Sequence, residues 1–369
     1  MMEPFKLERY FAKYEFKAKY MASSSDAEAM TLSDLLKFDD AIREELPSVW
    51  LGYSEATGLP ELRAEISKTY TTISPEQVLT HLGAEEPILN FYQSCFSPSD
   101  HVIVHSPCYQ SFYSIPRAIG CEVSHWKTHF ESAWSLDIDA LAQMIQPNTR
   151  AVMINSPHNP TGFHITAQDQ EKMIQLLRSK GILLFSDEVY REIELDPRDR
   201  LPAACDLYEN AISLGVLSKA YGLPGLRLGW IATRNQEVLA KMTAQKDYTT
   251  ICNPVLSEKL GIIAVRNREA IIARNRTIVL TNWALCQGFF KRHADKFEVI
   301  TPRGGTMIFP RAKPGFNLQK FMATLLDQKG VMIVGGEHFD MPTEYFRLGL
   351  GRKNFPEVLT LMEEHLASL

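Results

Sequence analysis

Short apolar runs alternate with helix-spaced stretches through the middle of the chain. Val78-Leu79-Thr80-His81-Leu82 reads as a strand, followed by Gly83 and a helix from Glu85 to Cys95. His101–His105, Ala151–Asn155, Ile182–Asp187, Ala211–Val216 and Leu228–Ala232 continue the series. The stretch from Ala167 to Lys180 has an amphipathic period and is closed by Gly181, the residue type that ends a helix in a left-handed turn. Near-continuous apolar strands separated by helices imply a mostly parallel sheet covered on both faces. A doubly wound α/β domain over residues 48–270 is expected.

The rhythm changes near Asn253-Pro254, a helix start with proline in the first turn. A long, charge-studded helical region runs from there to about His293. Beyond it the pattern predicts strands at Phe297–Thr301 and Thr306–Phe309 across a Gly304-Gly305 turn, then a helix from Leu318 to Gln328. Strands at Val331–Val334 and Phe346–Leu348 and a last helix from Pro356 to Leu366 complete the tail. Residues 1–47 and 271–369 are expected to form a smaller α+β domain from both chain ends. Leu7 to Tyr20 has a helical rhythm of its own. Its Lys6, Arg9, Lys13, Lys17 and Lys19, interleaved with Glu3, Glu8 and Glu15, read as a solvated face.

Ligands of open α/β sheets bind outside the carboxyl ends of the strands. The residues just after each apolar run are therefore the candidates for chemistry. Gly83-Ala84-Glu85 opens a helix, and free amides at a helix start suit an anion such as phosphate. Tyr109 offers an aromatic ring. Asn155-Ser156-Pro157-His158-Asn159-Pro160-Thr161-Gly162 is a rigid loop. Asp187-Glu188-Val189-Tyr190 puts a carboxylate where an apolar strand ends, which is costly unless it meets a partner. Ser218-Lys219 directly follows another strand and precedes a Gly-rich turn to Arg227-Leu228-Gly229, an unusual place for a lysine.

Composition narrows the classes. The 369 residues are 45% hydrophobic and 22% charged, which suits a chain with a large core. A net charge of −5 leaves no basic footprint, so no nucleic-acid partner is expected. The 6 cysteines are scattered with no CxxC pair, against a zinc ribbon or redox motif. His101/His105 and His125/His129 are spaced by four but lack the carboxylate or helix that would complete a metal site, and no metal is expected. Gly222, Gly225 and Gly229 do not have dinucleotide-binding spacing. No apolar stretch is long enough to span a membrane, and the charge-interrupted first ten residues do not read as a secretory leader. A reduced, cytoplasmic protein is the expectation.

Taken in order, Gly83-Ala84-Glu85, Tyr109, Asn159-Pro160-Thr161-Gly162, Asp187-Glu188-Val189-Tyr190, Ser218-Lys219 and Arg227-Leu228-Gly229, with Arg347 in the tail, carry a resemblance. The chain resembles the class I and II aminotransferases, fold-type-I enzymes that use pyridoxal 5'-phosphate. The resemblance covers about residues 48–350; the lysine segment and the Asn-Pro-Thr-Gly loop are its specific parts. It implies that Lys219 forms the Schiff base with the cofactor and, once freed, moves the α-proton. Burial and the nearby Arg227 would depress its pKa. Asp187 would pair with the pyridine nitrogen, Tyr190 and Asn159 would contact the ring oxygen, and Tyr109 would stack on the ring. The amides of Ala84 and Glu85, with Ser218 and Arg227, would hold the phosphate. Arg347, assisted by Asn159, would clamp the substrate α-carboxylate. Tyr53 matches a tyrosine that reaches the phosphate of the neighbouring subunit, which implies a homodimer. The chain departs from the family at Val216, where Ser or Gly usually supplies one more phosphate donor.

The activity implied is transfer of an amino group from an L-amino acid to a 2-oxo acid. The same site residues also serve lyases, replacement enzymes and cyclising enzymes, such as the capreomycidine-forming cyclase and cystathionine-lyase-like members. Ser23-Ser24-Ser25 and Gly335–Asp340 resemble those specialised members as well as ordinary transaminases. A cofactor-sensing transcription regulator on this fold needs an added winged-helix domain, and the segment before residue 48 lacks a basic recognition helix. Tyr10, Phe11, Tyr14, Phe16 and Tyr20 make the opening segment rich in aromatics. In the family this region can close over the side-chain pocket, which points to a large or aromatic substrate; core packing accounts for the rings equally well.

Overall fold

In a computed structural model, which describes residues 2–369, the apolar runs form one seven-stranded sheet. Its strands are β1 (Val78–Leu82), β2 (His101–Ser106), β3 (Glu122–Lys127), β4 (Thr149–Asn155), β5 (Leu183–Asp187), β6 (Ala211–Val216) and β7 (Leu228–Thr233). Their spatial order is β1-β7-β6-β5-β4-β2-β3. Only β7 runs against its neighbours, pairing antiparallel with both β1 and β6. The reason is the connection. Residues 217–227 hold no more than a single 3-10 turn at Pro224–Leu226, too little chain for a parallel crossover. The pattern of apolar runs does not reveal β3, an edge strand whose residues are mostly polar and half-exposed.

Alternate residues of the buried strands feed cores on opposite faces. In β5, Phe185 packs on Phe91 of the helix Glu85–Cys95, with ring centroids 4.9 Å apart. Its neighbour Leu184 joins Met173 and Leu177 of the helix Ala167–Lys180. Each such burial contributes about 1.5–3 kcal/mol, and the sheet needs helices on both sides to collect it. The helix Ala167–Lys180 starts on the Thr166 side chain, which accepts from the Asp169 N–H, and stops at Gly181 with φ +66°.

The two chain ends meet. Tyr20–Met21 pairs in parallel with Val331–Met332, while Met307–Ile308 and Val334–Gly335 flank Phe346–Gly349 in a small antiparallel sheet. The single strand expected over Val331–Val334 is thus two short pieces serving two sheets. The helix expected over Leu7–Tyr20 is shorter, α1 (Lys6–Tyr14), because Tyr20 is drawn into the first of those pairings. The long helical region after Pro254 divides into Val255–Arg266 and Arg268–Arg292. Asn267 leaves helical geometry there and its Nδ2 donates back to the Ile263 carbonyl. Among the described residues, no helix is long and apolar enough to cross a membrane.

Candidate active site

The carboxyl ends of β1, β2, β4, β5 and β6 open onto a cavity of about 590 Å³. Because β7 is antiparallel, its first residues lie at that same edge. The Gly83 N–H donates to the Arg227 carbonyl at 3.0 Å. Gly83 has φ +70°, a left-handed backbone that favours glycine, and a Cβ there would meet Arg227 Nη2 at 2.5 Å and push the guanidinium aside. The Arg227 guanidinium has no carboxylate partner among the described residues, only a 3.4 Å bond to the Pro224 carbonyl. It stands beside the opening turn of the helix Glu85–Cys95, free to meet an anion.

Ten of the eleven residues singled out from the sequence line this cavity: Ala84, Glu85, Tyr109, Asn159, Asp187, Tyr190, Ser218, Lys219, Arg227 and Arg347. Tyr53 does not. It is 82% exposed on the outer surface. Val216 also lines the cavity, so an apolar side chain faces the region where a further anion donor would stand.

Lys219 Nζ donates to Ser25 Oγ at 2.8 Å. Burial pulls its pKa down, with Asp26 opposing and Arg347 reinforcing the fall. The assisting cation is therefore Arg347, not Arg227 as expected from the sequence. Asp187 receives the Val189 N–H at 3.1 Å, yet burial pushes its carboxyl up to about 7 against that bond and the Lys219 charge. A carboxyl in this condition lacks a cation at contact distance. Tyr190, 1% exposed, has no hydrogen-bond partner for its hydroxyl, and neither has the buried Ser218 hydroxyl. Buried polar atoms are normally paired. Two unpaired hydroxyls, a desolvated carboxyl and an unpaired guanidinium around one cavity fit a ligand carrying a protonated ring nitrogen, a phenolic oxygen and a phosphate. Pyridoxal 5'-phosphate is such a ligand.

A run of hydrogen bonds spans from β5 to the small sheet. Asn155 Nδ2 donates to the Asp187 carbonyl at 2.9 Å, and the Asn159 N–H donates to Asn155 Oδ1 at 2.7 Å. Arg347 Nη1 donates to Asn159 Oδ1 at 2.9 Å, and its Nη2 to the Ser23 carbonyl at 2.8 Å. Arg347 is fully buried. It has no carboxylate partner among the described residues, so its charge is available to a substrate carboxylate.

Glu85 contributes more than its amide. Its side chain is half-buried with only Ser111 Oγ donating to it, at 3.2 Å, and desolvation pushes its carboxyl up to about 7. Asp187 and Glu85 thus hold protons more tightly folded than unfolded, where carboxyls titrate near 4. Between about pH 4 and 7 the folded state binds the extra protons, so these groups cost stability as pH rises through that window. Cofactor-free Asp187→Asn is expected to gain a few degrees in melting temperature over the parent as pH rises from 4 to 8, with little difference at pH 4. A difference between the two proteins that stays constant with pH would contradict the Asp187 assignment.

Part of the wall was not legible from strand ends. Phe5, Glu8, Phe11 and Glu15, on and beside α1, line the cavity, as do Ser24, Ser25, Asp26 and Arg352. The solvated face expected of the opening segment is corrected in part: Lys6, Arg9, Lys13, Lys17 and Lys19 are exposed, but Glu8 is half-buried against the site and Glu15, itself exposed, lines the cavity's rim. The spacing of Phe5, Glu8, Phe11 and Glu15 was the available signal, a helix stripe mixing aromatic and acidic residues. Of the five aromatics considered as a cover, only Phe11 lines the cavity; Tyr20 is in the core and Phe16 is 91% exposed. The paired histidines are structural. His101 bonds Thr149 and Ser124, and His105 stacks on His158 with centroids 3.9 Å apart.

Known proteins resemble this chain over most of its length. Residues 30–357 match the family model described as aminotransferase class I and II. Over 366 residues the chain is 27% identical to capreomycidine synthase of Streptomyces vinaceus, covering 98% of this chain and 93% of that protein. It is 25% identical to an aspartate aminotransferase of Sulfolobus acidocaldarius over 85% of this chain and 81% of the other. A PLP-dependent aminotransferase from Streptococcus suis superposes with a TM-score of 0.92 at 29% identity, covering 100% of this chain and 97% of its own.

Proposed function

This chain belongs to the class I and II aminotransferases, and from that premise we propose that its cavity transfers an amino group from an L-amino acid to a 2-oxo acid, with Lys219, Asp187 and Tyr190 at the reacting centre. The enzyme has the fold-type-I architecture and depends on pyridoxal 5'-phosphate. One observation carries the residue assignment: Lys219, the desolvated Asp187, the unpartnered Tyr190 hydroxyl and the uncommitted Arg347 converge on a single cavity. When bound, pyridoxal 5'-phosphate supplies an electrophilic carbon for the amino group and a ring that draws electrons from Cα.

The protein groups do the rest. Lys219 Nζ, its amine favoured over ammonium by burial, would hold the cofactor and would be placed to carry the proton that leaves Cα. Asp187 would stand opposite the ring nitrogen, where its charged form would keep a proton on that nitrogen. The Tyr190 hydroxyl and the Asn159 amide would hydrogen-bond the ring oxygen, and Tyr109 would cover the ring face. Ser218, Arg227 and the amides of Ala84 and Glu85 bind the phosphate, with Val216 offering no donor. Arg347 grips the α-carboxylate while Asn159 holds the guanidinium in place.

A homodimer belongs to this proposal, with Tyr53 reaching the neighbouring subunit's phosphate. Support comes from a surface on which Trp50, Leu51, Tyr53 and Tyr248 are 78%, 74%, 82% and 87% exposed, since clustered exposed apolar side chains mark interaction surfaces. The segments are neighbours, since Ser54 Oγ donates to the Asn253 carbonyl at 3.3 Å. We also place residues 48–270 in a large cofactor-binding unit and 1–47 with 271–369 in a smaller one. The pairing of Tyr20–Met21 with Val331–Met332 supports the latter. A cytoplasmic setting is proposed as well, in keeping with 6 free cysteines.

The test is a half-reaction screen. Mixing the holoenzyme with single amino acids should shift the cofactor absorbance to that of the amine form, and a 2-oxo acid should restore it. No such shift with any common amino acid would overturn the transfer reaction. The similarity to capreomycidine synthase across 98% of the chain favours one other reading, elimination, replacement or ring closure on an amino acid. Release of ammonia or a cyclised product with no 2-oxo acid present would select it.

A further inference from the structure

We propose that the substrate side chain is cationic, a guanidinium or ammonium, and that Glu8 and Glu15 of the α1 wall select it. The inference deepens the amino-transfer reading by naming a substrate class, and it rests on that reading for the placement of the α-carboxylate at Arg347.

The charges of the cavity carry it. Of its four cations, Arg227 lies at the anion-binding helix start, Lys219 is the attachment amine, and Arg347 is reserved for the α-carboxylate. The fourth, Arg352, is already bonded to both oxygens of Asp26, at 3.0 and 2.8 Å. No cation is left for a second substrate carboxylate. Of its five acids, Asp187 is assigned to the ring nitrogen, Asp26 is paired with Arg352, and Glu85, its carboxyl pushed up to about 7 by burial, sits with Ser111 at the anion-binding helix start; Glu8 and Glu15 are left over, with no ion-pair partner among the described residues.

Glu8 is held for the task. Tyr109 Oη donates to its Oε1 at 2.6 Å, which fixes the carboxylate beside the residue expected to cover the cofactor ring. Phe11 lies one turn further along the same face, 5.9 Å from the Arg347 guanidinium. A side chain leaving Cα from a carboxylate held at Arg347 would meet the Phe11 ring, with Glu8 one turn to one side of it and Glu15 one turn to the other. An aliphatic stem ending in a cation matches that arrangement of surfaces. Burial, then the Glu8 and Asp26 charges, raise the pKa of Glu15 against the opposing pull of Arg352 and Lys219, and a bound cation would add to that pull.

Unreactive analogues test this without requiring turnover. Isothermal titration of the holoenzyme would compare 5-guanidinopentanoate with glutarate; both keep the carboxylate and lack the amino group. The guanidino acid should bind about tenfold or more tightly, the scale of one charge-assisted hydrogen bond. Glu8→Gln keeps an acceptor for Tyr109 but removes the charge and should bring the two affinities to within about threefold. Glu15→Gln, at the exposed end of α1, should lower the ratio by less. Equal affinities in the parent protein overturn the proposal, as does undetectable binding of the guanidino acid at millimolar concentration. A preference that survives Glu8→Gln overturns the role of Glu8. Failure of amino transfer shows separately, as no absorbance change with any amino acid, while the analogue preference would still be read.

Discussion

Lys219→Ala is expected to lower turnover by about four orders of magnitude or more, because one atom supplies both the attachment point and the proton carrier. The loss should be chemical rather than structural. Lys219 Nζ has one hydrogen bond among the described residues, to Ser25 Oγ, and its removal leaves that serine beside an open cavity where water can replace the amine. Melting temperature and circular dichroism of the variant should therefore stay close to those of the parent. A small primary amine added in solution should restore part of the proton transfer, since the space it needs is the space Nζ vacates. Turnover within tenfold of the parent would sink the assignment of Lys219.

Asp187→Ala should cost about 10²–10³ in the rate of α-proton loss, the scale seen when a preorganised electrostatic partner is removed from a dry site. Its signature differs from that of Lys219. The cofactor should still attach, since Lys219 is intact, but the step that draws electrons into the ring should slow. The same carboxyl destabilises the cofactor-free protein above pH 4, where burial holds its pKa at about 7. Removal of its charge is thus expected to raise stability and abolish most activity, the opposite signs that mark a group kept for function. A rate within threefold of the parent would refute the pairing with the ring nitrogen. Rapid-mixing absorbance measurements separate attachment from proton loss directly.

The strand-end rule explains what could be read from the chain. Asn159, Asp187 and Lys219 each follow a run of apolar residues too long to be exposed, and a buried strand must end with its next residues at the sheet edge. Their convergence was therefore implied by the hydrophobic pattern. Arg347 was found by resemblance, because the strand that carries it, Phe346–Gly349, is too short to announce a buried arginine. The α1 wall escaped for a different reason. Glu8 and Glu15 alternate with exposed lysines, and charge spacing does not tell water from a polar cavity. The direction of β7 was open as well, since its apolar run is equally consistent with either orientation; the short connection from β6 decides it.

That antiparallel strand has a consequence for the order in which the protein is made. β1 pairs only with β7 within the sheet, Val78 against Ala232 and Leu82 against Leu228. The anion cradle of Gly83 and Arg227 is built across this pair, so it joins an early stretch of chain to a late one. A nascent chain that has emerged only as far as β6 already has five strands capable of parallel pairing, but it has no cradle. Closing so long a loop is a slow, late event in folding. If Arg227 holds the cofactor phosphate as proposed, cofactor capture is expected to await the last strand, and the ligand would reach a sheet whose centre has already formed.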